Sequence, residues 1–141
     1  MAMQRSRGLV RMGSRNLRKH LLESGRAVLG MDVGGYRVGF AFAQNVESFA
    51  MPLKVIKRHR GSNEMVAQYL NTIARSLNIG GLVVGYPLDT HGREGVMCAK
   101  VSRFVRQLSR DVKFELPYTF QDESMSTLEA YEGLKGDLGE E

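Results

Sequence analysis

The chain has 141 residues, 43% of them apolar, and a formal net charge of +5. That length supplies one domain with a core of its own and excludes two of ordinary size. A single cysteine, Cys98, excludes an internal disulfide, no apolar run reaches bilayer length, and no CxxC or HExxH suggests zinc.

The charge is unevenly placed. Residues 1–26 carry seven Lys or Arg against one acid, and residues 122–141 carry seven acids against one Lys. Residues 1–26 read as a basic N-terminal extension separate from the core. It fits an organellar targeting segment, a nucleic-acid-binding arm or a disordered tail. The location is accordingly cytoplasmic, or organellar if that segment is a transit sequence. Within it, Asn16 to Gly25 forms a short helix with Leu17, Leu21 and Leu22 on one side.

The body begins at Ala27. Val28 to Val33 is apolar on both faces apart from Asp32, as expected of a strand buried on both sides. Gly34-Gly35 follows as a tight turn supplying positive φ, and Arg37 to Ala43 returns antiparallel. Asp32 thus stands at the tip of a central strand, where it either binds a hard cation or caps the turn. Ser48 to Arg58 is a third strand, with Phe49, Met51, Leu53 and Val55 as its apolar face. Pro52 places it at an edge. The run Lys57-Arg58-His59-Arg60 reads either as a solvated loop or as a phosphate contact.

Ser62 to Asn78 has apolar residues at helical spacing, from Met65 and Val66 to Leu77, and Gly80-Gly81 ends it. Leu82 to Tyr86 is a short buried strand stopped by Pro87. The loop after it holds Asp89 and His91. Glu94 to Arg110 is a second long helix with Lys100, Arg103, Arg106 and Arg110 as an outward basic stripe. Cys98 within it reads as a small hydrophobe. Phe114 to Phe120 alternates as a one-face-buried strand, and Pro117 argues that it too is an edge. Asp122-Glu123 follows, then a capped helix from Ser126.

Three strands in a meander, then two reached through helices, define an α/β fold. Counted along the chain, the five strands take the order 3-2-1-4-5. The first, fourth and fifth are parallel, and their C-terminal ends share one margin, where open α/β sheets bind ligands. Asp32 and Asp122-Glu123 reach that margin. Paired carboxylates there suit Mg²⁺ or Mn²⁺, and a basic body suits a polyanionic partner.

Leu29-Gly30-Met31-Asp32-Val33-Gly34 with Arg37, then Leu82 to Leu88, then Asp122-Glu123 with Ser126-Thr127, resemble in order the three motifs of the YqgF/RuvX family. The match spans about residues 27–135, leaving residues 136–141 as an acidic tail. The resemblance implies a ribonuclease H-like fold and a metal-dependent nuclease of Holliday-junction resolvase or pre-16S rRNA processing type. It implies Asp32 and Asp122 as metal ligands and Glu123 as a third catalytic carboxylate. Arg37, Lys57, Arg58, Arg60, Lys100, Arg103, Arg106 and Arg110 are the phosphate-contact candidates. Three features depart from the family: Ser124 replaces its Arg, Tyr36 replaces a common Lys, and its last catalytic helix is missing. The alternative is therefore a catalytically impaired nucleic-acid or ribosome-assembly binding module. Asp32-Val33-Gly34-Gly35 is also similar to the phosphate loop of sugar kinases and actin, which need two such lobes.

Overall fold

A computed structural model of the chain describes residues 8–59, 62–86 and 96–122. Its elements, in order, are β1 (Leu9–Arg11), α1 (Ser14–Ser24), β2 (Ala27–Val33), β3 (Arg37–Ala43), β4 (Met51–Lys57), α2 (Ser62–Ser76), β5 (Ile79–Tyr86), α3 (Val96–Ser109) and β6 (Leu116–Asp122). They build a six-stranded sheet in the order β1-β6-β5-β2-β3-β4. β1, β6, β5 and β2 are parallel, whereas β3 pairs antiparallel with β2 and β4. The five expected strands keep their expected order, so β2 and β6 do flank β5.

β1 is the addition, and it corrects two expectations. Residues 9–24 are not a detached extension. Leu9 pairs with Leu116 and joins the main core, and Leu17 and Leu21 of α1 are buried. A transit segment cut away through this region would remove part of the core. Nor is β6 an edge. Leu116 donates to the Gly8 carbonyl and Met12 to the Tyr118 carbonyl. The Pro117 nitrogen therefore faces β5, whose register with β6 begins only at Tyr118. Its missing N–H costs the ladder nothing at that point.

The sheet has two dissimilar faces. On one, α2 and α3 pack their apolar stripes, including Val66, Leu70, Val101, Phe104 and Leu108, against Leu29, Met31, Val38 and Phe40. Cys98 is buried in α3, as a small apolar residue would be. On the other face α1 covers a smaller core of Leu17, Leu21, Val28 and Ala43. Gly80 and Gly81 make that approach possible: a Cβ on Gly81 would lie 2.9 Å from Leu17 Cδ1, and one on Gly80 would lie 2.7 Å from Arg26 Cβ. These glycines, expected to end a helix, are inside β5. The helix ends earlier, at Ser76, and the chain turns into β5 at Asn78, which adopts φ 54° and is held by Arg26: Nε donates to Asn78 Oδ1 at 3.1 Å.

β4 is an edge strand, with Pro52 next to a bulge in its pairing with β3. Its expected apolar face is exposed, however: Phe49, Met51 and Leu53 face solvent, and Ile56 is the buried residue. Ile56 pairs with Val38 beneath the helices. Nearer the start of β4, the Tyr69 ring of α2 takes the Lys54 ammonium at 5.9 Å. No helix among the described residues is long and apolar enough to cross a membrane.

Candidate active site

Asp32 is the sixth residue of β2 and pairs with Gly39 of β3. Its neighbours Met31 and Val33 point into the main core. Strand alternation therefore sends Asp32 to the opposite face, the one that α1 shares. The α1 contacts with Val28, Ala43, Gly80 and Gly81 all fall at the other end of the strands. Asp32 is half-buried at the C-terminal margin, beyond the described reach of that helix.

The turn beside Asp32 differs in mechanism from the expectation. Neither Gly34 nor Gly35 takes a left-handed φ. The need at Gly34 is for space, because a Cβ there would lie 3.1 Å from the Arg37 carbonyl oxygen. The Gly34 amide donates to that same oxygen at 2.8 Å, closing the hairpin. Arg58 then locks it from outside. Its amide donates to the Tyr36 carbonyl at 2.7 Å, its guanidinium donates to the Gly34 carbonyl at 3.0 Å, and it lies 4.9 Å from the Phe104 ring centre. Arg58 is thus a half-buried brace between the turn and α3, with its cation already engaged. Nothing in the sequence distinguishes it from its basic neighbours, because Phe104 meets it only in the folded chain.

The second acidic position is Asp122, the last residue of β6, paired with Tyr86. β2 and β6 are two strand spacings apart, about 10 Å. The registers place Asp32 in the row of Gly85 and Gln121, with Asp122 one step further out. Gln121, half-buried, was not singled out in the sequence because amides carry no motif there. Glu123, Arg60, Asp89 and His91 lie outside the described residues, as does the helix expected from Ser126.

Among the described residues no three His, Cys, Asp or Glu side chains form a preformed metal cage. Mg²⁺ does not require one, since it commonly binds through one or two carboxylates together with substrate phosphates. A hard oxygen donor at Asp32 fits that chemistry.

The basic candidates divide between the two faces. Arg37 pairs with Lys57 across β3 and β4, both exposed. Arg37 is in phase with Gly39, the partner of Asp32, so these two cations share the face of Asp32. The Arg37 Cα is roughly 8 Å from that of Asp32. The α3 stripe is elsewhere. Lys100, Arg103 and Arg106 are exposed on a helix covering the opposite face. Arg110 follows Ser109, whose hydroxyl accepts from the Leu9 amide at 2.9 Å at the strand-start margin. The structure does not bring Arg110 near Asp32.

A mixed sheet of this order, with a carboxylate at the tip of its central strand, defines a ribonuclease H-like α/β protein. RuvC of Thermus thermophilus, solved in complex with a Holliday junction substrate, shares the fold at a TM-score of 0.50. That match is 14% identical and covers 70% of this chain and 66% of RuvC. The chain belongs to the RuvX Holliday junction resolvase family, whose model matches residues 26–140. A relative from Roseobacter denitrificans is 35% identical over 113 residues, 80% of this chain and 68% of the relative. One from Paracoccus denitrificans is 37% identical over 108 residues, 77% and 66% respectively. Both bear the name "Putative pre-16S rRNA nuclease". The chain spans about two thirds of the length of these curated relatives.

Proposed function

We infer that this chain is a nuclease that hydrolyses phosphodiester bonds of structured RNA or branched DNA at the margin marked by Asp32. The supporting observation is the position of Asp32: at the C-terminal tip of a central parallel strand, half-buried, on a face shared with Arg37 and Lys57. Ligands of open α/β sheets bind at this margin. Asp32 and Asp122 would hold Mg²⁺ or Mn²⁺, with Glu123 completing the set or orienting a water. A metal held there would polarise the phosphoryl oxygen and stabilise the charge that develops on the attacking and leaving oxygens.

The chain's own residues do the remaining work. Arg37 and Lys57 fix the substrate backbone by contacts blind to base identity. Arg58 keeps the Asp32 turn rigid, so the carboxylate is preorganised rather than ordered on binding.

The test uses a structured RNA carrying the immature end of a small-subunit ribosomal RNA and a four-way DNA junction. Each is incubated with the chain in Mg²⁺ and in Mn²⁺. Cleavage of either supports the reading, and the faster one names the substrate. Salt-sensitive binding without cleavage would replace it with the binding-module alternative.

A further inference from the structure

One feature of the Asp32 hairpin is unexplained by phosphodiester hydrolysis. Tyr36 is 87% exposed at the tip of the turn, where a polar residue would serve solvation better. Its backbone is nevertheless tightly fixed. Gly34 and Arg37 close the hairpin beneath it, and Arg58 binds the carbonyls of both Tyr36 and Gly34. The ring is therefore presented from a rigid base, with only two side-chain torsions to order on binding. The next residue, Arg37, is directly opposed to Lys57 across the β3–β4 pair. Like charges in that arrangement destabilise a sheet, and a polyanion lying on them removes the penalty.

An exposed aromatic face beside paired cations is the chemistry that binds a single nucleic-acid strand, with bases stacked on the ring and phosphates on the cations. A base within a duplex has both faces already covered by its neighbours, so the ring selects a base outside the stack. Tyr36 is four residues from Asp32, at most about 14 Å along the chain, or about four stacked nucleotides. We propose that Tyr36 stacks on an unpaired nucleobase of the substrate while Arg37 and Lys57 hold the flanking phosphates. The site thereby selects strands with an unpaired nucleotide within a few positions of the bond at Asp32. This rests on the nucleic-acid reading above and deepens it.

The experiment uses 2-aminopurine, whose fluorescence falls on stacking, placed in single-stranded RNA and DNA of one sequence and in the matching duplexes. Binding to the wild-type chain quenches the single-stranded probes, and the more tightly bound backbone identifies the preferred strand. Tyr36→Ala removes the quench and weakens single-strand binding about 5- to 100-fold, with much less effect on duplex. Tyr36→Phe retains both quench and affinity. The melting temperature of each variant stays near wild type, because the ring is exposed. Salt-sensitive binding with unchanged quench and affinity in Tyr36→Ala overturns the stacking inference alone. No binding to any probe at low salt overturns the nucleic-acid reading and this inference together.

Discussion

Asp32 is the one charged residue in the apolar run of β2. A carboxylate inside an otherwise apolar run is costly unless it reaches a margin where water or a ligand can meet it, so the residue announces itself. It stands near the tip of β2, paired with Gly39. Arg58 shows the opposite case. In sequence it belongs to an undifferentiated basic run, and only the meeting of β4 with α3 makes it a brace. Replacing Arg58 with Ala removes a charged hydrogen bond to the Gly34 carbonyl and the Phe104 contact. It should cost about 1–3 kcal/mol in chemical denaturation. Arg58→Lys should recover only part, since an ammonium cannot lie flat on the ring while reaching that oxygen. A loss under about 0.5 kcal/mol for Arg58→Ala would place the residue among ordinary surface cations.

The N-terminal elements show what local pattern hides. The α1 periodicity is readable, with Leu17 and Leu21 on the buried side and Gly25 as a left-handed C-cap. What it packs against is not, because the docking surface is the Gly80-Gly81 pair, whose glycines look like a helix stop until the sheet is assembled. β1 has three residues, too few for any alternation to register. Leu17→Ala should therefore destabilise the chain by about 2–5 kcal/mol, the range for a buried leucine. Deleting residues 1–12 should lower the melting temperature, because it strips the β1 ladder and Leu9 from the core. An unchanged melting temperature after that deletion would return residues 1–12 to the status of an extension.

Across the whole molecule, the sheet separates two charged surfaces that the sequence presents as one basic body. The strand order was legible because Pro52, the Gly34-Gly35 turn and crossover handedness leave few alternatives, whereas Pro117 pointed to an edge that β1 covers. The assignment of cations to faces was not, since it depends on register. Arg37 and Lys57 share the face of Asp32, whereas the outward side of α3 belongs to the other. The charge reversals Arg37→Glu with Lys57→Glu should weaken RNA binding strongly and reduce the log–log salt slope by about 2. The same change at Arg106 and Arg110 should leave the slope nearly intact. Equal losses from both pairs would mean that the substrate crosses both faces. The most direct measurement is Mg²⁺-dependent cleavage of a structured RNA and a four-way junction by wild type and Asp32→Asn, with binding followed in parallel. If the margin at Asp32 is the active site, the variant binds as tightly as wild type, keeps its melting temperature and does not cut. Equal cleavage by the two proteins would contradict the assignment.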